Sequence, residues 1–362
     1  MIRRIETKIR RGERLTFDDG LFLATECDLH ALGRLAHAVR LGRHGRKTFF
    51  NINLHINPAN VCIAGCKFCA FGKKAFDENA YILQPEDIVR RAELQMPRGC
   101  SEIHLVGGLH PRMNLEYYCR FIRALRSHCP GVKIKALTAV EIEYAARLSK
   151  ISISEALERL VEAGLDTLPG GGAEIFDEGI RSQLCDHKCD SATWIEVHRT
   201  AHRMGIKSNC TMLYGHVERP EHRVDHLLRL RALQDETGGF QCFIPLAFLP
   251  ENNDLSHLPR TTGHLDLRTV AVARLLLDNI PHIKAYWIMM GVKTAQLALL
   301  FGADDLDGTI VHEEIGHDAG SDAPQALSVH DICRLIREMG MEPVLRNSLY
   351  EELDLESQLT AV

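Results

Sequence analysis

Short β-branched or apolar runs alternate with longer amphipathic segments along most of this 362-residue chain, and few folds accommodate that order. Eight runs read as strands: FFNINLHIN (49–57), EIHLVG (102–107), KIKALTA (133–139), LDTLPG (165–170), KSNCTMLYG (207–215), FQCFIPLAF (240–248), IKAYWIMM (283–290) and GTIVHE (308–313). Between them lie helical stretches such as PEDIVRRAELQMPRG, LEYYCRFIRALRSHCPG and ISEALERLVEAG. Ser152 and Ser154 suit the start of the last helix, and Gly164 suits its end. Eight strand–helix alternations in about 265 residues match a (β/α)8 barrel, with an open doubly wound sheet as the alternative. A barrel predicts chemistry at the C-terminal ends of its strands. Residues 1–48 precede the first strand and carry two amphipathic stretches. They are expected to form an N-terminal helical cap, with 49–362 as the barrel and its C-terminal helices.

The chain is long enough to bury one large core, and it contains no repeat, low-complexity tract or Pro/Gly/Ser linker. A net charge of −5 with interspersed signs gives no reason to expect a nucleic-acid or anionic-membrane partner. No apolar run reaches the roughly 18 residues of a membrane span. The basic N-terminus is not followed by an apolar signal stretch, so the expected location is the cytoplasm. There the twelve cysteines remain thiols. Cys27, Cys100, Cys119, Cys129, Cys210, Cys242 and Cys333 are scattered singly and read as small apolar residues.

One group is spaced like a metal site. Cys62, Cys66 and Cys69 form a Cys-x3-Cys-x2-Cys array directly after the first strand. A loop of this kind can wrap a cuboidal 4Fe-4S cluster and ligate three of its four irons. The fourth iron keeps an open position, the mark of a reactive rather than a structural centre. Radical S-adenosylmethionine (SAM) enzymes fill that position with the amino and carboxylate groups of SAM. Phe68, just before the third cysteine, would shield the cluster and stand near the adenine. Zinc would need a fourth ligand within the loop, and there is none; His55 belongs to the preceding strand.

Other unusual residues cluster at the remaining strand ends. Gly107 and Gly108 would let the backbone come close to a ligand, and the likeness to radical SAM enzymes implies that this ligand is the methionine end of SAM. Gly170, Gly171 and Gly172 lack the phosphate-binding Gly-x-Gly-x-x-Gly spacing, so they indicate close approach or an unusual turn, not a dinucleotide site. Glu174, next in line, would project into the barrel mouth and serve ribose binding or catalysis. In the fifth strand either Asn209 and Thr211 or Ser208 and Cys210 face the lumen. Ser208, Asn209 and Thr211 are all carried as candidate cofactor contacts. His216 is a candidate catalytic residue, and Glu218 a candidate SAM contact. Three features point elsewhere. Cys185 and Cys189 have no second cysteine pair, His198 and His202 lack the zinc-hydrolase glutamate, and Trp287–Met290 reads as barrel core.

The segments NPANVCIAGCKFCAFG, EIHLVGGLHP, LPGGGAEIFDE, SNCTMLYGHVE, HRVDHLLRLRALQDETGGFQCFIPLAF and VHEEIGHDAG resemble those of the aminofutalosine synthase family, within the radical SAM superfamily. The likeness runs from about residue 50 to 320. It implies a radical SAM TIM-type barrel, a 4Fe-4S cluster, SAM as co-substrate, and an electron donor such as flavodoxin or ferredoxin. The implied substrate is 3-[(1-carboxyvinyl)oxy]benzoate and the implied product 6-amino-6-deoxyfutalosine, in menaquinone biosynthesis. The substrate's carboxylates would want basic partners, with Arg181, His110 and His312 as candidates. A mouth lined by Asn209, Thr211, Tyr214 and His216 would orient the vinyl group. The runner-up is the sister cyclic dehypoxanthine futalosine synthase. A non-catalytic metal-binding module is the reading from another class, and alternation along the whole chain argues against it.

Overall fold

The computed structural model describes residues 1–359. Seven strands follow one another in chain order in a single parallel sheet: β2 (Asn53–Ile56), β3 (Glu102–Leu105), β4 (Lys133–Ala136), β5 (Thr167–Leu168), β6 (Lys207–Tyr214), β7 (Phe240–Ala247) and β8 (His282–Ile283). A strand at Asp305–Gly308, β9, comes between the two edges of this sheet. Asp305 bridges to Lys284 on one side, and Val311, just beyond the strand, bridges to Leu54 on the other. The ring of eight is thereby closed, which excludes the open doubly wound sheet. A second, three-stranded sheet is built on β9, where β1 (Lys47–Asn51) pairs with both β9 and β10 (Glu342–Leu345).

Period-2 alternation decides what faces where. In β2 to β4, Leu54, Ile56, Ile103, Leu105, Ile134 and Ala136 join the hydrophobic core with helix residues such as Ile88 and Ile122. The alternate positions His55, His104 and Lys135 turn into the barrel instead. The apolar core therefore lies between sheet and helices, while the lumen keeps polar groups. The segment 346–350 closes the lumen from below. Arg346 donates to Asp305 at 2.7 Å, Ser348 to Glu102 at 2.8 Å, and Tyr350 to Asp305 at 2.9 Å.

Three helices precede the barrel: α1 (Ile2–Arg10), α2 (Phe17–Thr25) and α3 (Leu29–His44), one more than the two stretches the sequence suggests. Thr16 and Asp19 form a reciprocal capping box at the start of α2. Gly33 lets α3 seat against Phe301, where a Cβ would come within 2.5 Å of the ring.

Four strand expectations need correction. The run 49–57 breaks at Ile52 into β1 and β2, which belong to different sheets. The run 165–170 keeps only Thr167 and Leu168, because Pro169 has no N–H and Gly170 turns left-handed at φ +80°. In the run 283–290 the strand ends at Ile283, and Trp287–Met290 form a helical turn whose indole donates to Gly308 at 3.0 Å. The run 308–313 starts three residues earlier, and positive φ at Ile310 and His312 ends it. β10 had no counterpart among the sequence runs; it is a short edge strand that contains Pro343.

Candidate active site

A cavity of about 300 Å³ opens at the C-terminal ends of the strands and reaches down between them. Cys62, Cys66 and Cys69 all line it. Their loop leaves β2 and is pinned on both sides: Cys62 N–H donates to Lys73 at 3.0 Å and Ile63 N–H to Leu109 at 3.1 Å. Two backbone donors point at sulfur, Gly72 N–H to Cys69 Sγ and Leu109 N–H to Cys62 Sγ, each at 3.3 Å. Such donors stabilise thiolate ligands and tune a cluster's potential. Burial pushes the Cys66 thiol up to about 12, so ligation there would be accompanied by loss of a proton. Three thiols lining one cavity, two N–H donors to sulfur and, among the described residues 57–72, no fourth Cys or His fit a 4Fe-4S cluster with one open iron.

Gly107 and Gly108 line the cavity, and the structure gives a further reason for glycine there. A Cβ on Gly108 would lie 2.3 Å from the Val61 carbonyl oxygen, and one on Gly107 would lie 3.0 Å from that of Ala59. The pair is packed against the cysteine loop itself. Glu141 holds it from the other side, accepting from Gly107 N–H at 3.0 Å and from Thr138 N–H at 2.7 Å. Burial raises the Glu141 carboxyl to about 7. The Gly170–Gly172 run has a similar basis. A Cβ on Gly170 would meet the Asn209 carbonyl oxygen at 2.1 Å, and one on Gly172 the Val140 side chain at 2.5 Å.

Glu174 reaches the cavity from a left-handed backbone position, φ +49°. Its carboxylate accepts from Lys188 Nζ at 2.5 Å, and the same ammonium lies 5.1 Å from the centre of the Phe68 ring. Burial opposes the charge on Lys188, but Cys66, Glu174 and Cys185 outweigh it and raise its pKa. Lys188 lies within CDHKC, the segment discounted as a metal motif, and had no place among the candidates. Alternation in β6 settles its lumen side: Asn209, Thr211 and Leu213 face the cavity. Asn209 is 2% exposed and its Oδ1 has no hydrogen-bond partner among the described residues. An orphaned acceptor in a cavity wall marks a place for a ligand's donor.

Several expected contacts lie elsewhere. Ser208 faces outward, its hydroxyl held between His198 Nδ1 at 2.9 Å and His202 Nε2 at 2.8 Å. Tyr214 also faces out and donates to Asp266 at 2.8 Å. His216 and Glu218 do not line the cavity. The imidazole turns back to the Leu213 carbonyl at 3.0 Å, and the carboxylate accepts from Gly215 and His216 N–H and from Arg223. Together they staple the turn after β6. Arg181 is buried on the carbonyls of Ala173 and Cys189. His110 accepts from Arg112 N–H at 3.0 Å, and His312 is exposed; none of these three lines the cavity.

The polar residues that do line it came mostly unannounced: Asn57, His55, His104, Lys135, Lys284 and Asp307. A signal for some was present. The strands N-L-H-I, E-I-H-L and K-I-K-A alternate polar with apolar, and a closed barrel sends one of the two sets inward.

A parallel barrel with an open three-cysteine loop at its C-terminal mouth is the architecture of a radical SAM enzyme. Residues 56–230 match the radical SAM superfamily, and residues 237–359 match the CofH/MqnC C-terminal region. The aminodeoxyfutalosine synthase of Streptomyces coelicolor is 46% identical over 362 residues, covering 97% of this chain and 94% of the relative. That of Thermus thermophilus is 46% identical over 353 residues, covering 96% and 95%. The cyclic dehypoxanthine futalosine synthase of Streptomyces coelicolor stands at 38% over 346 residues, covering 94% and 86%. The crystal structure of methylornithine synthase superposes with a TM-score of 0.75 at 19% identity, over 94% of this chain and 97% of that one; it supports the fold alone. The chain belongs to the aminodeoxyfutalosine synthase family of radical SAM enzymes, which use a 4Fe-4S cluster and SAM. Among the described residues no helix is long and apolar enough to cross a membrane.

Proposed function

We propose that this chain is an aminofutalosine synthase. It joins the C5′ carbon of the adenosyl group of SAM to the vinyl carbon of 3-[(1-carboxyvinyl)oxy]benzoate. Methionine leaves, the aryl group migrates from oxygen to carbon, and the carboxyl group departs as carbon dioxide with return of the one electron that began the cleavage, so that 6-amino-6-deoxyfutalosine is formed. The observation that carries this reading is the near-full-length identity of 46% to two aminodeoxyfutalosine synthases, against 38% to the sister cyclase.

The cluster, when bound, supplies the electron that cleaves the sulfonium bond of SAM. The protein's own residues bind, orient and exclude water. Cys62, Cys66 and Cys69 would hold the cluster, with one iron left for the methionine end of SAM. Gly107 and Gly108 bring backbone close to that end, held in place by Glu141. Phe68 stands near the adenine. Glu174 takes a ribose hydroxyl while Lys188 fixes its carboxylate. Asn209 and Thr211 face the adenosyl group from β6. The apolar wall of Val140, Ile244, Leu246, Phe248 and Met289 receives the aryl ring and keeps water out. A reduced flavodoxin or ferredoxin delivers the electron, and the enzyme works in the cytoplasm.

The test is anaerobic. Reconstituted protein is given reductant and SAM, with the carboxyvinyloxybenzoate in one tube and dehypoxanthine futalosine in another, and the small molecules are weighed by mass spectrometry. An adduct that retains the adenosyl unit in the first tube supports the reading. Free 5′-deoxyadenosine with a cyclised product in the second moves the assignment to the sister cyclase.

A further inference from the structure

The deep end of the cavity has a composition unlike its walls. His55, His104 and Lys135 are in direct register across β2, β3 and β4, so their side chains form one row on the inner face. The two imidazoles stack with ring centres 4.5 Å apart. Lys284, from just beyond β8, and Asp307 complete the floor. Lys135 and Lys284 are each only 2% exposed.

The charges are arranged by depth. Lys135 donates to Glu102 at 2.6 Å, but Glu102 does not line the cavity; it sits beneath, where Ser348 also holds it. Lys284 donates to Asp307 at 2.9 Å. Each ammonium has three N–H donors, and each makes that single hydrogen bond among the described residues. Two buried cations therefore retain unused donors at the bottom of the cavity, beside the two imidazoles and Asp307. Burial, and next to it the stacked His104, lowers the His55 pKa to about 3 and keeps that ring neutral, available as a further hydrogen-bonding group. The environment suits a planar anion approached on several sides by N–H groups.

We propose that this floor is the subsite for the ring carboxylate of the benzoate substrate. The assignment rests on the reaction proposed above and adds the orientation that reaction needs. The cluster loop lies at the mouth and the lysines at the bottom, so a substrate anchored by its ring carboxylate lies along the cavity with its vinyl group toward C5′ of SAM. The aryl ring is then held between apolar walls over the path along which it migrates. Lys135 and Lys284 are positioning residues, and they set specificity for a carboxylated ring.

Two paired variants test this without leaving a buried charge alone: Lys135→Gln with Glu102→Gln, and Lys284→Gln with Asp307→Asn. Each is assayed anaerobically, loaded with cluster, against the natural diacid and against the phenyl ether that lacks the ring carboxylate. Binding of both compounds to the unreduced enzyme is measured alongside. Wild-type enzyme is expected to prefer the diacid by about 10- to 100-fold in kcat/KM and in Kd. In either paired variant that preference collapses toward unity, while iron content is unchanged. If a pair fails to fold, His55→Gln leaves Lys135–Glu102, Lys284–Asp307 and the His104 contact to Glu102 in place and reports on the same ratio. Undiminished preference in the variants overturns the floor assignment and leaves the reaction standing. Absence of any adduct from the diacid with wild-type enzyme overturns the reaction and this assignment with it.

Discussion

Lys188 and Glu174 meet at the mouth of the cavity, Nζ to Oε1 at 2.5 Å, with the Phe68 ring centre 5.1 Å from the ammonium. They come from different segments: Glu174 ends the glycine turn after β5, and Lys188 lies in the loop after the helix Glu178–Leu184. The same loop is tied to the cysteines, since Lys67 N–H donates to the Leu184 carbonyl at 2.9 Å. The pair therefore links the cluster loop to the residue proposed to bind ribose.

Removing the ammonium should separate SAM binding from cluster assembly. Lys188→Met leaves the Glu174 carboxylate buried without its ion-pair partner and removes a positive charge that Cys66 faces, while all three cysteines stay in place. We expect SAM affinity of the unreduced, cluster-loaded protein to fall about 10- to 100-fold with iron and sulfide content unchanged. Lys188→Arg, which keeps the charge, should restore part of the affinity. An unaltered SAM dissociation constant in Lys188→Met would remove this residue from the binding site.

Gly108 offers a steric test of how the cysteine loop is held. An alanine methyl there would lie 2.3 Å from the Val61 carbonyl oxygen and 3.0 Å from Cys62 Cβ, and that backbone cannot move aside without shifting the first cluster ligand. Overpacking of this kind costs about 1–3 kcal/mol. Gly108→Ala should lower both the unfolding midpoint and the iron content after reconstitution. Gly131→Ala is the control, because a Cβ there meets nothing within 4 Å.

The barrel and its cluster loop were legible because both depend on local sequence. Strand–helix alternation is local, and so is the spacing of Cys62, Cys66 and Cys69. The side chains at the other strand ends were less legible, since position near a strand end does not say which way a side chain turns. Gly215, left-handed at φ +89°, reverses the chain so that His216 and Glu218 fold back on their own turn. Ser208 differs from Asn209 by one residue, and that one-residue step puts it on the outer face. Trp287–Met290 could be strand or helix by periodicity alone. Lys188 had no local signal, because its partner lies fourteen positions earlier and is brought to it by a helix whose packing only the tertiary structure fixes. Lys135, His55 and His104 were visible as polar residues within apolar runs, but their meaning depends on ring closure.

The segment over the cavity's far wall should respond to pH. His317 Nδ1 lies 3.1 Å from Glu313 Oε2, and Glu313, Ile315 and Gly316 line the cavity. The hydrogen bond to Glu313, opposed by burial, raises the His317 pKa from 6.5 to about 9. A group whose pKa is higher in the folded state contributes stability that is fully present below its unfolded pKa of about 6.5. That stability is lost as pH rises through about 9. The wild-type unfolding midpoint should therefore fall relative to that of His317→Gln between about pH 6.5 and 9. Parallel curves across that range would mean that the pair contributes nothing.

The base of the barrel depends on a buried charge that cannot be left alone. Asp305 Oδ2 accepts from Arg346 Nε at 2.7 Å and from Tyr350 at 2.9 Å, with both Asp305 and Arg346 fully buried. Arg346→Met keeps an apolar side chain of similar length but strands the carboxylate, and breaking one partner of a buried pair costs about 3–5 kcal/mol. Converting the aspartate as well, in Arg346→Met with Asp305→Asn, removes the stranded charge and should recover most of that loss. Urea unfolding provides the check. The single variant should lower the midpoint at unchanged m value, and the double variant should bring it back toward wild type. If the two variants are equally destabilised, the cost lies in lost packing by the 346–350 segment rather than in the charge. The floor of the cavity, which that segment closes from below, would then depend on shape more than on ion pairing.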